Sequence, residues 1–557
     1  MNRFYRLLAY GYFPKELPPI FSTRTFAKHT FDLSDINTYS NRKWQRPCTY
    51  LLQQKVHYRR KLDIVGPQSF LKQADLISNN YENVQSLISI HDGNCSRPAF
   101  NRKTKFHRAV RPFAIGRGYA QRKLKLRSRF PIILKLDVKN YYRSIYTHSI
   151  AWVFYGKTYS KTHFREENLG NNLDKAFMQG QDGQTIGIPT GPDTSFIISE
   201  LILSQVIEEL LENKFIKIDR CVRYYDDIQY GCESEEEAHR VITAFEGTLR
   251  NYELELNPDK IQIISGPHNI ERPWLLQLRN LEWKDNVGTD LLLEIFSFVA
   301  EIALKYPDDH IFRYFLQKMR TVIVSENAWV DYQRVLLSLL QENRGNAKEV
   351  FQQFLYYQKI GRSIDKRALK ESLSRKIWHQ LIRGVTSELS WAVYGFLIFQ
   401  LKPDKEIFEK VLRKGDTVSK IIATKLIFER NLPLRSKVNE IIGSWGDDVL
   451  NSPEWIFAYE VLVNKWHNRY HEISLPDNSE LFEHIRDKNV SFIDDEAPLV
   501  TSLPIAFKRV LQSQSENEAQ DENDFDNFDE EEDDFDYLLD DDIDWDSDDE
   551  DIDDLGY

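Results

Sequence analysis

The 557-residue sequence predicts an α+β domain over about residues 1–285, an all-α domain over 286–510, and an acidic segment over 511–557 with too few apolar residues to build a core. Three observations support that division. Short strand-forming runs such as Ile132-Ile133-Leu134-Lys135-Leu136 alternate with helical stretches in the first region. In the second, strand signals fade and helical periodicity takes over. From Leu511 onward there are 24 Asp and Glu and no Lys or Arg, so the segment repels itself and is expected to be disordered.

The hydrophobic content of 41% and charged content of 28% are those of a water-soluble globular protein too long for one core. No apolar run approaches the roughly 20 residues that span a bilayer, and the N-terminus lacks a secretory signal, so a cytoplasmic protein without membrane contact is expected. Cys48, Cys95, Cys221 and Cys232 are widely spaced, without the paired pattern of a zinc site, and are expected to be buried thiols.

The net charge of −12 hides an asymmetry: without the acidic segment, 61 acids face 73 bases. A basic body suits nucleic acid, because neutralising phosphates releases counterions. The acidic segment is interrupted by Phe525, Phe528, Phe535, Tyr537, Leu538, Leu539 and Trp545. Such a pattern suits a solubilising tail or a segment that occupies a positive channel.

Helices are predicted over 290–306, 329–343, 346–360, 387–401, 405–413, 417–429 and 453–466, with breaks at Pro307, Gly361, Pro403, Gly415, Pro433 and Gly446. A HEAT-like stack of helical hairpins and an ordinary bundle both fit this spacing.

The chemistry concentrates in the first region. Leu134-Lys135-Leu136-Asp137 reads as a strand ending in a carboxylate. Arg220 to Gly231 reads as two short strands whose tight turn displays Asp226 and Asp227, with Val222, Tyr224, Ile228 and Tyr230 alternating around it. Adjacent carboxylates on a half-buried hairpin repel unless cations neutralise them, which points to metal binding. A lone Asp after a strand equally suits a cap, so Asp137 gains weight only beside this second signal. Residues 93–136 contain 13 bases and no acid.

Tyr224-Tyr225-Asp226-Asp227 resembles the YxDD box of reverse transcriptases, and Asp137 with Tyr142 resembles the DxxxxF/Y box. Gly187 to Ser195 resembles the template-gripping loop and helix, Leu254-Glu255-Leu256-Asn257-Pro258-Asp259-Lys260 the LxLNxxK box, and Arg111-Pro112-Phe113-Ala114-Ile115 the RPxxI element. The resemblance implies a right-hand polymerase with fingers and palm, RNA-directed or template-independent DNA synthesis, deoxynucleoside triphosphate substrates and a cDNA product. It implies Asp137, Asp226 and Asp227 as catalytic residues around two Mg²⁺ ions, with Mn²⁺ as an alternative, and Asp227 in the supporting role. It further implies Tyr142 as the gate against a ribose 2′-hydroxyl and Gly191 as a close backbone approach to the nascent pair. Arg111, with Arg108 second, becomes the clamp on the triphosphate, and Lys260 a neutralising charge for the leaving group. The remaining fingers bases are expected to line a template channel.

Gly11-Tyr12-Phe13-Pro14-Lys15-Glu16-Leu17-Pro18-Pro19, the continuation Arg143 to Ile150, and Thr190 in the Gly187 to Ser195 loop resemble the abortive-infection and unknown-group bacterial reverse transcriptases of anti-phage defence. That resemblance implies an RNA template or an associated noncoding RNA, a protein hydroxyl as one form of primer, and a homo-oligomer. A retron or group II intron-type enzyme and a non-catalytic RNA-binding scaffold are the alternatives.

Overall fold

In the computed structural model, which describes residues 2–33, 36, 44–53, 58–88, 90–101, 108–267, 271–281, 283, 286–342, 345–467, 473 and 480–519, the expected strand runs meet in one sheet. Its order is Cys221–Tyr224, Asp227–Cys232, Ile132–Leu136, Gln262–Ser265, and every pairing is antiparallel. Leu136 lies opposite Ile228, and Leu134 lies between Tyr230 and Ile263. One face carries the helix Glu235–Asn251, itself packed on Asp193–Glu212. The other is covered by Arg117–Arg127, whose Tyr119 and Leu126 join Phe130, Ile133, Val222 and Tyr224 in a separate small core.

Local chemistry fixes these helices. Pro192, at φ −68°, stands immediately before Asp193–Glu212, where its ring sets the entry angle. Phe196, Leu203, Val206, Ile207 and Leu210 are buried as expected, but so are Ile197, Ile198, Leu201 and Ile202. The helix is therefore central, covered almost all round, and not an amphipathic surface helix. Ser234 accepts from Glu237 N at 3.2 Å to cap Glu235–Asn251, and Glu235, Glu236 and Glu237 complement that helix terminus.

Beyond the sheet the chain is helical. Thr289–Lys305, Trp329–Gln341, Ala347–Lys359, Ser387–Ile398, Lys405–Lys414, Thr417–Glu429 and Trp455–Asn464 fall where periodicity places them. Ile311–Lys318, Lys366–Arg383, Arg435–Ile442, Glu480–Asp487 and Ile505–Ala519 are additional, as is a short parallel pairing of Asn286–Val287 with Ile323–Val324. Lys366–Arg383 escapes a hydrophobicity reading because its buried stripe includes Ser372, Lys376 and Gln380; Lys376 is neutralised by the buried Glu388. Ile505–Ala519 crosses the boundary expected at 510, so the acidic segment begins as helix; residues 520–557 lie outside the described residues.

From Thr289–Lys305 to Trp455–Asn464 most helices pack against the next and the next but one, giving two rows. The row containing Ile311–Lys318, Ala347–Lys359 and Ser387–Ile398 faces the first region. Tyr50, on the hairpin Cys48–Gln53/Arg59–Ile64, shares a 2.8 Å hydrogen bond with Ser390, and Trp455 Nε1 donates to Ile64 O at 3.1 Å. The Gly11 to Pro19 segment joins the two halves: Tyr12 stacks on Phe70 at 4.0 Å and packs edge-on to Phe492, while Trp391 Nε1 donates to Glu16 O at 3.1 Å. One hydrophobic core consequently runs through both regions. The four cysteines are buried and free, and no helix among the described residues is long and apolar enough to cross a membrane.

Candidate active site

Asp137 follows directly on Ile132–Leu136, where the backbone is still held: Asn257 N donates to Asp137 O at 2.9 Å, and Val138 bridges Leu256. The Leu254 to Lys260 segment thus runs beside the end of the strand, and Lys260 Nζ comes to rest 3.2 Å from Asp137 Oδ2. Sequence reading links Lys260 to a triphosphate. In the structure its ammonium already sits against a carboxylate.

The hairpin forms as expected, with Tyr224 paired to Asp227 and Tyr225 and Asp226 in the turn. Tyr225 has φ 50°, at the first turn position where such hairpins ordinarily carry glycine. A bulky residue there costs about 1–3 kcal/mol, strain of a kind that clusters at functional sites. Burial, and next the charge of Asp137, push the Asp226 carboxyl well above the usual carboxylate range, against the pull of Lys260. The charge of Asp137 thus raises Asp226, while the Lys260 ammonium beside Asp137 lowers it and offsets part of the repulsion.

Asp227, on the following residue of the strand, turns elsewhere, as alternation requires. It accepts from Tyr119 Oη at 3.3 Å, and Tyr119 in turn stacks on Tyr224 with Lys123 Nζ 4.3 Å above its ring. Among the described residues no three His, Cys, Asp or Glu side chains form a ready-made metal cage. Two carboxylates fit a hard divalent ion that draws its other ligands from substrate phosphates and water, which is how Mg²⁺ is ordinarily held.

Sequence reading missed the support beneath the turn. Arg223, fully buried, donates to Glu200 Oε1 at 3.1 Å, Ser204 Oγ at 3.0 Å, Ser96 Oγ at 3.3 Å and Tyr225 O at 3.3 Å. A signal exists: an arginine between two apolar strand residues, and a glutamate within the buried stripe of Asp193–Glu212.

Asp226, Tyr142, Gly191, Lys260, Arg108 and Arg111 all line one cleft of about 1190 Å³. Tyr142 is half-buried, and its hydroxyl accepts from Ser199 Oγ at 3.1 Å. Gly191 has φ 127°, and a Cβ would meet Pro14 Cγ at 2.7 Å. The pressure for glycine comes from the Gly11 to Pro19 segment, where sequence reading invokes a nucleotide pair. Arg108 donates to Phe13 O at 2.8 Å, Gly191 O at 2.9 Å and the buried Asp193, which also accepts from Ala109 N and Val110 N at 3.0 Å. Arg108 is thereby engaged in architecture, and among the described residues of 93–136 Arg111 is the other arginine that lines the cleft.

The other fingers bases are mostly engaged away from it. Arg97 lies over the Phe113 ring at 4.0 Å, Arg122 pairs with Asp92 at 2.7 Å and Arg129 with Asp219 at 2.6 Å. Arg102, Lys103 and Lys105 lie outside the described residues. The cleft takes its positive charge instead from Arg59, Arg60 and Lys61 on the first hairpin and from Arg313, Arg320 and Lys348 on the helical wall.

A family model described as reverse transcriptase (RNA-dependent DNA polymerase) matches residues 75–287, ending near the transition to helices. No curated protein matches the chain.

Proposed function

We propose that the chain, whose residues 75–287 match a reverse transcriptase family model, is an RNA-dependent DNA polymerase of the nucleotidyltransferase class that copies an RNA template by two-metal chemistry at Asp137 and Asp226. The observation that supports this reading is that Lys260 Nζ, 3.2 Å from Asp137 Oδ2, shares one cleft with Asp226, whose carboxyl is raised by burial and by the charge of Asp137. Bound Mg²⁺, or Mn²⁺, would activate the 3′-hydroxyl and neutralise the leaving pyrophosphate.

The chain's own residues supply the rest. Asp227, tethered to Tyr119, shapes the field behind the turn. Arg111 takes the triphosphate of the incoming deoxynucleotide as a fork of fixed charge, and Tyr142, oriented by Ser199, bars a 2′-hydroxyl. Template and product lie between the palm and the helical row, whose Arg313, Arg320 and Lys348 face them across the cleft.

Defence against phage, as in the abortive-infection group, is the cellular role we propose, on the resemblance of the Gly11 to Pro19 segment. An associated noncoding RNA and homo-oligomeric assembly follow from the same resemblance. The test is Asp226→Asn, which should abolish metal-dependent deoxynucleotide incorporation on a primed RNA while leaving circular dichroism unchanged. Incorporation equal to wild type would defeat the assignment. In cells the same variant should lose any protection measured by phage plaque counts.

A further inference from the structure

The catalytic cleft is unusually positive. Among the described residues eight arginines and four lysines line it against five carboxylates. Four of those arginines are engaged with acids, Arg24 with Asp494, Arg108 with Asp193, Arg143 with Asp63 and Arg313 with Glu349, and Lys61 and Lys260 pair with Asp63 and Asp137; even with Asp63, Asp137 and Asp494 added to the acids, the bases remain in excess. Low-dielectric walls focus such a field and draw in polyanions.

The same chain carries a polyanion. Residues 520–557 hold 22 Asp and Glu and no Lys, Arg or His, with phenylalanine, leucine and tryptophan interleaved. This composition matches the cleft, which sets Tyr58, Tyr356 and Trp391 among its bases.

Geometry connects the two. Residues 497–504 are themselves part of the cleft lining, held where Gln352 Nε2 donates to Leu499 O at 3.3 Å. The helix Ile505–Ala519 follows, fastened by Phe507 against Tyr356 and Tyr357 at 5.4 and 5.0 Å between ring centroids. Fifteen helical residues extend roughly 22 Å. Thirty-eight residues of random coil would have a root-mean-square span of roughly 35 Å, a length sufficient to reach the cleft from the end of that helix. Tethering at that range gives an effective concentration of about millimolar.

We propose that residues 520–557 dock in the catalytic cleft as an intramolecular substitute for a nucleic-acid backbone, so that template and primer must displace them to reach Asp226. The inference rests on the polymerase reading of that cleft. It makes the acidic segment a threshold on substrate: weak or short nucleic acids are excluded, and only ligands with enough phosphates prevail.

The experiment compares the full chain with a full-length variant in which the 22 carboxylates of 520–557 are replaced by their amides. Binding of a fluorescent 20-nucleotide single-stranded DNA is measured from low to moderate salt. The neutral variant should bind about tenfold tighter at low salt and lose affinity more steeply with salt, because it no longer exchanges one set of ion pairs for another. A synthetic 520–557 peptide added to it should restore the weaker binding, and the amide version of the peptide should not. A photo-crosslinker in place of Trp545 should map to Ala347–Lys359 or to Arg59–Ile64.

Equal DNA affinity of the two proteins, a peptide that does not compete, or crosslinks confined to surfaces outside the cleft would each overturn the proposal. Primer extension on the same proteins separates this from the reading beneath it. Intact incorporation without a tail effect sinks the inference alone, whereas a tail effect without incorporation sinks the polymerase assignment.

Discussion

Arg223 Nη2 lies 2.8 Å from Glu200 Oε2, with both side chains shielded from water, directly beneath the turn that carries Asp226. The pair links the central helix to the strand Cys221–Tyr224, and through Ser96 and Tyr225 O it reaches the fingers and the turn. Removing one partner strands a buried charge, which costs about 3–5 kcal/mol. Glu200→Gln should therefore lower the chemical-denaturation midpoint markedly, and Arg223→Lys, which keeps the charge but loses the fork, should fall between it and wild type. If the hub also positions the turn, the folded fraction of Arg223→Lys will show a reduced kcat with KM for deoxynucleotide little changed.

The Tyr119–Asp227 contact distinguishes the two adjacent aspartates, and on the proposed reading it gives them different roles. Asp137→Asn and Asp226→Asn should each reduce incorporation by about a thousandfold or more, in the range seen when a charge-stabilising group is lost. Asp227→Asn and Tyr119→Phe should cost about ten- to hundredfold, as expected of groups acting on the site through others. Mn²⁺ binding to the nucleotide-free enzyme, followed by electron paramagnetic resonance, should weaken strongly for Asp226→Asn and little for Asp227→Asn. Equal weakening in both would place Asp227 among the direct ligands.

The arginines at 108 and 111 both fall in the basic run 93–136, where sequence ranks Arg111 first, and they differ in their structural surroundings. Arg108→Gln breaks contacts to Phe13 O, Gly191 O and the buried Asp193, so it should lower stability by about 2–4 kcal/mol and reduce soluble yield. Arg111→Gln should fold normally and raise KM for deoxynucleotide about tenfold or more. A normal KM in Arg111→Gln would remove it from the triphosphate site.

What the sequence disclosed followed the strength of its physical signals. Asp137, the Asp226 turn and Lys260 stood out because charged residues follow short, strongly patterned strands there; Asp226 and Lys260 line one cleft, and Asp137 lies 3.2 Å from Lys260. Seven helices of the second region were legible from their apolar periodicity. Lys366–Arg383 was hidden because it buries Lys376 against Glu388, so its inner face reads as polar. The role of Gly11 to Pro19 was hidden for another reason. Its contacts to Asp193, Gly191, Phe492 and Trp391 span up to several hundred residues of chain, and no local pattern encodes a tertiary partner.

Tyr142 offers a selectivity test that activity alone cannot mimic. Tyr142→Ala should raise the ratio of ribonucleotide to deoxynucleotide kcat/KM by about ten- to hundredfold, the range available to removal of a steric clash. Ser199→Ala removes the hydroxyl that donates to Tyr142 but keeps the ring, and should leave the ratio near wild type. An unchanged ratio in Tyr142→Ala would refute the gate.

Behind the cleft lining, Glu460 gives the fold a pH dependence of known sign. It is fully buried, accepting from Ser491 Oγ and Phe492 N at 2.7 Å and from Asn464 Nδ2 at 2.8 Å, and burial pushes its carboxyl up to about 7. The folded state therefore binds this proton more tightly than the unfolded chain does. Its stabilising contribution is complete below the ordinary glutamate value of 4.5 and is lost as pH rises through 7. Glu460→Gln does not titrate, so its unfolding free energy relative to wild type should rise by about 3 kcal/mol between pH 4.5 and 8. Parallel denaturation curves for the two proteins across that range would show that Glu460 keeps an ordinary pKa despite its burial.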